Sequence, residues 1–325
     1  MKVAHVAIAT PGRCGLYETT RELVAAERAL GADARIVDPS PGRYPGLQAA
    51  PGTDDRGAPI EPIEWAKEAD WLIDHSGLDT PALAGLDTPI VYMSHGRPAS
   101  SFIGEHNGGA PVISYWLKRE KDPRCKAVVT FWREHRPYLE GVFRKTPVYD
   151  VQPCVDLQRW HPGPTSYNFM GKGGTPNVVI ADMWRDDINP MPSIAAFLVF
   201  ANRHPAAKLH IYALPENRKG IDAYLRILAD RKLLGVAQGF AKGLVSAYRV
   251  ADLVISPQTI YTRSVREAMA TGCRVVSGKT TNPLDITAFS WSMDYALSED
   301  RRSRAAAERM FNPLNTAREF LGVLK

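Results

Sequence analysis

His95 is a candidate catalytic residue because of its side chain and its position in the sequence. It follows Ser94 and the apolar run 90–93, which is typical of a buried strand, and it precedes Gly96. An imidazole at the carboxyl end of a strand can exchange a proton with a bound ligand near neutral pH. A lone histidine is also a common structural hydrogen-bonding group, so the catalytic and the structural interpretation of His95 both stay open.

Charged side chains open a helix predicted near residue 264. Ser264 and Glu267 have the spacing of a capping box, in which Glu267 would bond the backbone amide of Ser264. A carboxylate in the first helical turn can instead accept two hydrogen bonds from the vicinal hydroxyls of a ribose. Arg263 and Arg266 flank this carboxylate and could meet a diphosphate, or they could be solvated.

Gly12 and Gly15 lie between the first predicted strand and the first predicted helix. Glycines at such a turn let the backbone approach a ligand, and the amides that open the following helix attract anions. The same spacing suits an ordinary tight turn. The segment lacks the Gly-x-Gly-x-x-Gly pattern of a dinucleotide site.

The charge distribution predicts where an anionic ligand binds. The chain has a formal net charge of +5 and an isoelectric point near 9.0. Residues 1–160 hold 19 basic and 21 acidic side chains, whereas the remaining 165 hold 21 basic and 14 acidic ones, net +7. The C-terminal half is therefore the better candidate for a phosphate-bearing ligand. The basic, aromatic segment 115–145 is a second place where an anion could dock, unless its cations are simply solvated.

Alternating apolar and amphipathic segments predict an α/β fold that positions these groups. The pattern is that of βα units and of mostly parallel sheets. Strands are predicted at 3–9, 34–37, 71–74, 90–93, 127–131 and 148–151, and in a second series at 178–181, 209–212, 236–238, 253–256 and 274–277. Helices are predicted at 17–30, 192–202, 221–230, 244–250 and 264–271. The segment 38–62, rich in Pro and Gly, is predicted to be a surface loop.

Two doubly wound, Rossmann-like domains facing each other across a cleft are the predicted architecture. We place the N-terminal domain at 1–160, the C-terminal domain at 161–300 and a further helix at 301–325. The segment 152–174, which holds the Pro-Gly-Pro of 162–164 and little periodicity, is the expected linker.

Composition excludes several protein classes. A hydrophobic content of 45% and a charged content of 23% are typical of globular chains and exclude a disordered or collagen-like protein. The longest markedly apolar run, 194–201, is too short to span a bilayer. The four cysteines are scattered without metal-ligand spacing, and no Asp-x-Asp occurs. We therefore expect a cytoplasmic protein with reduced thiols, no bound metal and no cofactor.

Several segments together resemble the GT-B glycosyltransferases, and most closely family 4 of these enzymes. The segments are the glycine loop and helix at 12–30, the Ser-His-Gly at 94–96, the Pro-Cys-Val-Asp-Leu-Gln-Arg-Trp-His-Pro at 153–162, and the Asp-Leu-Val at 252–254 followed by Glu-Ala-Met-Ala-Thr-Gly at 267–272. They occur in the family's order over about residues 1 to 280.

The resemblance implies a hexosyltransferase whose donor is a nucleotide-diphosphate sugar such as UDP-glucose. Glu267 would bind the donor ribose, His95 would approach the donor sugar, and Gly12 and Gly15 would lie near the diphosphate. A C-terminal helix would pack back toward the N-terminal domain. The family is usually retaining, through a route in which the leaving phosphate takes the acceptor's proton. An inverting route would need a base in the acceptor half, for which Glu18 or His95 could serve.

This sequence departs from the family pattern at two places. The first glutamate of the family's Glu-x7-Glu element is missing, since the segment reads Gln258-Thr259-Ile260. Of the Arg-x4-Lys diphosphate clamp, Arg185 matches the arginine but the lysine is absent. A diphosphate in a desolvated site needs cationic partners, so we expect Arg263, together with Arg266, to replace that lysine.

The acceptor stays open at this point. Most relatives glycosylate a small molecule, a lipid or a glycan, whereas compact viral enzymes of this fold act on hydroxymethylated bases in double-stranded DNA. The second possibility predicts phosphate contacts and base stacking in the acceptor half. The residues that would supply them are Trp116, Lys118, Arg119, Trp132 and Arg133. A non-catalytic relative that binds nucleotide sugars is a third possibility.

Overall fold

The computed structural model describes residues 1–11, 14–40, 51–75, 81–96, 112–182, 190–214, 220–239, 241, 244–300 and 303–325. The chain divides into two compact units. Unit 1 consists of Met1–Cys154 and Met310–Lys325, and unit 2 consists of Val155–Arg309.

Unit 1 is built on a sheet to which the described residues contribute eight strands, in the order β3-β4-β2-β1-β5-β6-β7-β8. Neighbouring strands are parallel, except that β3 runs antiparallel to β4. The strands are β1 (Lys2–Val6), β2 (Asp33–Val37), β3 (Gly52–Thr53), β4 (Pro59–Glu61), β5 (Trp71–Asp74), β6 (Ile90–Ser94), β7 (Cys125–Thr130) and β8 (Val148–Asp150).

The helices of unit 1 cover this sheet. They are α1 (Gly15–Ala29), α2 (Pro81–Ala84), α3 (Val112–Lys121), α4 (Arg136–Val142) and, at the end of the chain, α11 (Pro313–Val323), with 3-10 turns at Ile63–Glu68 and Arg133–His135. The central strands are buried on both faces, as expected for a parallel sheet between helices. In β6 all five residues are buried.

Unit 2 holds a parallel sheet with five strands in the described part, in the order β11-β10-β9-β12-β13. The strands are β9 (Asn177–Ile180), β10 (Lys208–Ile211), β11 (Leu234–Ala237), β12 (Leu253–Ser256) and β13 (Arg274–Ser277). The helices are α5 (Met191–Ala201), α6 (Ile221–Asp230), α7 (Val245–Val250), α8 (Arg263–Ala270), α9 (Ile286–Ser298) and α10 (Ser303–Met310), with a 3-10 turn at Phe169–Gly171.

The predicted fold class is confirmed: each unit is a mostly parallel sheet with alternating strands and helices. β5, β12 and β13 have the predicted bounds. The predicted loop 38–62 is wrong in part, because its end forms β3 and β4 on the sheet edge. Asp54, between these strands, accepts hydrogen bonds from Tyr17 and Arg21 of α1, which hold the hairpin against the helix.

The division between the units differs from the predicted boundary at residue 160. The segment 155–160 belongs to unit 2. Arg304 of α10 donates hydrogen bonds to the carbonyl oxygens of Leu157 and Trp160, at 3.2 and 2.7 Å. The Trp160 ring packs against Tyr248, with centroids 5.9 Å apart. These contacts were not visible in the sequence, because they join positions about 90 to 150 residues apart in the chain.

Candidate functional site

The start of α8 in unit 2 is fixed to the end of β9. Thr262 is the N-cap residue, and its hydroxyl oxygen accepts a hydrogen bond from the backbone N–H of Val265 at 3.4 Å. The same hydroxyl donates to the Asp182 carboxylate at 2.7 Å. The Ser264 hydroxyl donates to the carbonyl oxygen of Ala181 at 3.2 Å. The start of this helix therefore lies at the carboxyl end of a central parallel strand, where α/β proteins bind ligands.

The predicted capping box is wrong. The helix begins at Arg263 rather than after Ser264, so Glu267 is its fifth residue and is too far along to cap it. Thr262 takes the capping role because its hydroxyl satisfies both a helix amide and Asp182. Glu267 therefore does not cap this helix.

Glu267 pairs with Arg263 inside unit 2. Oε1 of Glu267 lies 2.7 Å from Nε of Arg263, one helical turn away. Glu267 is 8% exposed and Arg266 is 5% exposed. Arg263 is partly buried, and Glu and Arg side chains are rarely buried unless they are paired. The pair places a carboxylate and a guanidinium together at the amino-terminal part of α8, whose peptide dipoles also attract anions.

Tyr248 lies in the same environment. Its burial, with Glu267 and Asp182 nearby, raises the pKa of the phenol well above its ordinary value. Asp182 is itself buried. Two carboxylates, a guanidinium and a protonated phenol therefore meet at this edge of the sheet, and such a group can bind both ligand hydroxyls and phosphates.

Of the two glycines predicted to form the loop before α1, Gly15 lies within the described residues. Gly15 is exposed and is the first residue of α1. Cys14, the N-cap residue, makes no side-chain capping bond within the described part of the chain. Amides at the start of a helix can bind an anion, and the role of Gly15 near a diphosphate stays a prediction. Gly12 and Arg185, two other predicted donor-binding residues, lie outside the described residues.

His95 belongs to a line of hydrogen-bonded side chains in the described part of unit 1. Its Nε2 lies 2.7 Å from Nδ1 of His75. Nε2 of His75 lies 2.8 Å from Nδ1 of His5. Nε2 of His5 lies 2.8 Å from Oε2 of Glu27. Sequence reasoning identified His95 alone among these four residues.

Strand register brings the three histidines to one face of the sheet. His5 of β1 is the register partner of Ile73 in β5, and His75 lies two residues after Ile73. Asp74 is paired with Tyr92 of β6, so His75 is level with Met93, two residues before His95. Side chains two residues apart in a strand share a face. A histidine next to the end of each of two adjacent strands was the available sequence signal.

Glu18, the other predicted base, lies in an ion-pair network. Both of its carboxylate oxygens accept hydrogen bonds from Nη2 of Arg21, at 2.5 and 2.6 Å. Arg56 also donates to it. Arg21 in turn binds Asp54 and Asp55 at 2.8 Å. These charge-assisted bonds hold the carboxylate between two arginines and give Glu18 a structural role.

The predicted acceptor-binding residues fall into two groups. Trp116 is 1% exposed, donates to the Tyr92 hydroxyl at 2.9 Å and packs against Phe143. Arg119 is buried and pairs with Asp74 at 2.7 Å. Trp116 therefore has no face on which a base could stack, and Arg119 serves the core. Lys118 and Arg133 are exposed.

Trp132 is mostly buried next to His95. Its indole N–H donates to the carbonyl oxygen of His95 at 3.4 Å. Phe131, one residue earlier, meets the His95 ring edge-on with centroids 5.2 Å apart. The aromatic residues after β7 thus fix the position of His95 and are not part of an exposed stacking surface.

Neither a metal site nor a membrane span is found in the described part of the chain. No three metal-ligating side chains cluster there. The helices described are all too short or too polar to cross a bilayer.

The fold resembles solved structures over the whole chain. TarM covers 100% of this chain and 98% of its own at 9% identity, with a TM-score of 0.73. Sucrose-phosphate synthase from Thermosynechococcus elongatus covers 99% of this chain and 98% of its own at 12% identity, with a TM-score of 0.70. An alpha-glucosyltransferase, solved in complex with UDP and a 13-mer DNA containing an HMU base, covers 100% of this chain and 99% of its own. Its identity to this chain is 9%, and the TM-score is 0.67.

The likeness shows a GT-B fold with two Rossmann-like domains, as predicted. No protein-family model matches the chain, and no curated protein matches it by sequence. A putative UDP-N-acetylglucosamine 2-epimerase from Listeria monocytogenes shares the fold too, at 12% identity and a TM-score of 0.63, covering 100% of this chain and 95% of its own. One fold hosts more than one reaction, so the reaction has to be argued from the site residues.

Proposed function

We propose that this protein is a glycosyltransferase that moves a hexose from a nucleotide-diphosphate sugar to an acceptor hydroxyl. The observation that carries the proposal is the ion pair of the buried Glu267 with the partly buried Arg263 near the start of α8. Thr262, which caps this helix, donates to Asp182 just after β9. The GT-B fold and the neighbours whose names state glycosyl transfer support it.

The donor is assigned to unit 2. In the proposal, Glu267 accepts hydrogen bonds from the two ribose hydroxyls, because a carboxylate offers acceptors at the right spacing for a vicinal diol. Arg263, supported by Arg266, binds the diphosphate and takes the place of the clamp lysine that the sequence lacks. UDP-glucose is the donor we propose to try first.

The transfer is proposed to be retaining and independent of metal. Leaving-group charge is then stabilised by guanidinium groups and by peptide dipoles at helix starts. On the acceptor side, His95 is the group that meets a substrate hydroxyl, since it is half-buried at the end of β6. Glu18 is not assigned a catalytic role, because Arg21 and Arg56 hold it.

The experiment is a panel of nucleotide sugars, each tested for slow hydrolysis and for transfer to simple alcohols. A thermal-shift series with UDP, GDP, ADP and CDP comes first, since a nucleotide that binds the folded chain raises its melting temperature. Stabilisation by one nucleoside diphosphate with turnover of its sugar is the expected result. Stabilisation without turnover of any sugar would favour the non-catalytic alternative. Conversion of UDP-N-acetylglucosamine to its 2-epimer, without transfer, would contradict the proposal.

A second candidate is glycosylation of hydroxymethylated bases in DNA. It is favoured by the neighbour solved with DNA and by exposed cations in the segment 115–145 of unit 1, among them Lys118, Lys121, Lys126 and Arg133. The burial of Trp116 weighs against base stacking there. Binding to a DNA duplex should then decrease steeply with salt. No binding at low salt would dismiss this candidate.

A further inference from the structure

We infer that Glu27, His5 and His75 are positioning residues that set which nitrogen of the His95 ring carries its proton, through a continuous line of buried hydrogen bonds. The four residues come from positions far apart in the sequence. Every link is 2.7 to 2.8 Å, within the normal range for a hydrogen bond. The inference concerns the His95 site of the proposed glycosyltransferase and rests on that function only for the identity of the substrate.

The proton arrangement follows from counting donors. When Glu27 is ionised it can only accept, so Nε2 of His5 must carry the proton. In a neutral His5, Nδ1 is then an acceptor, which requires a proton on Nε2 of His75. The same step along the line requires a proton on Nε2 of His95. In all three bonds the donor lies on the side away from Glu27, and Nδ1 of His95 carries no proton, so it is an acceptor.

Uptake of one proton reverses the direction of the two hydrogen bonds between the histidines. If Nδ1 of His95 takes a proton, Nε2 of His95 passes its proton to Nδ1 of His75, and Nε2 of His75 passes its proton to Nδ1 of His5. The positive charge then lies on His5 beside the Glu27 carboxylate. No proton is gained or lost apart from the one that entered, and Nδ1 of His95 has changed from an acceptor into a donor.

The burial of the line favours this arrangement. His5 and Glu27 are fully buried and His75 is nearly so, whereas His95 is half-buried. Phe320 of α11 packs against the His5 ring, with centroids 6.2 Å apart. The line therefore begins inside unit 1, under the C-terminal helix, and leads toward the surface at His95.

Glu27 and His75 have different parts. Oε1 of Glu27 is buried without a hydrogen-bond partner among the described residues, so the carboxylate attracts positive charge onto His5. Burial lowers the pKa of His75 well below its ordinary value, and the neighbouring His95 and His5 lower it further. His75 thus passes protons between His95 and His5, and the positive charge does not stay on it.

For the proposed reaction, the tautomer decides what His95 can bind. With Nδ1 as an acceptor, His95 takes a hydrogen bond from a sugar or acceptor hydroxyl and orients it. With Nδ1 as a donor, the same ring offers an N–H to that hydroxyl. Proton uptake by the line therefore changes the hydrogen-bond partner that His95 presents to a hydroxyl-bearing substrate.

The test is a titration of the full chain labelled with 15N-histidine, in which long-range 15N–1H correlations identify the tautomer of each ring. We expect His5, His75 and His95 to carry their protons on Nε2 at about pH 7.5. In Glu27→Gln the amide oxygen can still accept from His5, so the tautomers should persist. The charged partner is lost, and the pH at which His95 takes its proton should decrease by about one unit or more, a tenfold change. Glu22→Gln, a buried carboxylate change on the same helix, should leave the His95 signals unchanged.

The variant His75→Phe separates conduction through the line from long-range charge effects. In this variant the further change Glu27→Gln should no longer shift the titration of His95. If His75→Phe does not fold, His75→Gln serves the same purpose. A shift that persists without His75, or a neutral His95 that carries its proton on Nδ1, would overturn the inference.

Activity gives a separate readout. Where transfer is observed, Glu27→Gln should lower kcat at least tenfold near neutral pH, shift the pH profile, and leave KM for the donor unchanged. Failure of all nucleotide sugars would remove the proposed function and leave the tautomer result standing. An intact transferase in which Glu27→Gln alters neither tautomers nor titration would remove the inference alone.

Discussion

Gly235 lies directly against the ring of His210 in the core of unit 2. A Cβ at Gly235 would be 2.4 Å from Cε1 and 2.5 Å from Nδ1 of His210. The His210 ring is stacked on Phe169, with centroids 3.7 Å apart. The imidazole therefore has no room to move away, and glycine is required here by close approach of a neighbouring ring.

Gly235→Ala should lower the free energy of unfolding by about 1 to 3 kcal/mol, the usual cost of overpacking a core. Gly141→Ala is the matched control, because a Cβ at Gly141 in α4 meets nothing within 4 Å. The control should be neutral or slightly stabilising, since alanine is the better helix former. Urea unfolding of both variants checks the difference, and equal stability of the two would contradict the close approach.

His210 makes stability depend on pH. Burial, with a smaller contribution from Lys208, lowers the pKa of His210 to about 4. Its Nδ1 accepts from the backbone N–H of Val236 at 3.1 Å, so the folded chain needs the neutral ring. The unfolded chain takes a proton near pH 6.5, so the stability present above that pH is lost as the pH falls toward 4, by about 1.4 kcal/mol per unit.

This pH effect has a local readout. The protection of the Val236 amide against hydrogen exchange, measured relative to unfolded peptide at the same pH, should decrease as the pH falls. The reason is that a protonated Nδ1 no longer accepts the amide hydrogen. His210→Asn should make the free energy of unfolding less dependent on pH between about 4 and 6.5, by the slope that one bound proton contributes. An unchanged slope in that variant would show that other groups, His75 included, account for the loss.

Arg304 binds three backbone carbonyl groups in two segments of unit 2. Its guanidinium donates to the carbonyl oxygens of Leu157, Trp160 and Ala270, the last at 2.7 Å. Ala270 is the final residue of α8, whose carbonyl has no partner within the helix. Arg304→Ala should lower the free energy of unfolding by about 1 to 3 kcal/mol, because partly buried carbonyl oxygens lose their donor.

Arg304→Lys should recover part of this loss, since an ammonium keeps the charge but not the planar set of donors. Arg309→Ala, on an exposed position of the same helix, should change stability by less than about 0.5 kcal/mol. Thermal and urea unfolding measure all three variants. A loss in Arg309→Ala equal to that in Arg304→Ala would mean that the carbonyl contacts contribute nothing.

Glu267 and Arg263 should govern nucleotide binding. Glu267→Gln and Arg263→Ala are each expected to weaken binding of the nucleoside diphosphate by about tenfold to a hundredfold, the value of a charge-assisted hydrogen bond. Glu267→Gln should weaken a ribonucleotide more than its 2′-deoxy analogue, because the ribose contact is the one lost.

The control for this pair is Glu308→Gln. Glu308 also pairs with an arginine one turn away, since its Oε1 lies 2.7 Å from Nε of Arg304. It lies on a different helix, so nucleotide affinity measured by calorimetry should not change. Unchanged affinity in Arg263→Ala would refute the idea that this arginine replaces the clamp lysine.

The sequence alone determined the fold class and the places where groups could act. Short apolar runs and helical periodicity report burial, which is a local property, and they located strands such as β5 and β12 to the residue. His95 at a strand end and Glu267 in a late helix followed from the same local pattern.

Tertiary packing determines which side chains contact one another. His5, His75 and His95 are far apart in the chain, and the register of β1, β5 and β6 brings them into one line. Glu27 joins this line from α1, through its contact with His5. Thr262 caps α8 because Asp182, 80 residues earlier, accepts its hydroxyl. Hydrogen-bond partners and side-chain exposure depend on distances between elements, and those distances are set only when the whole chain packs.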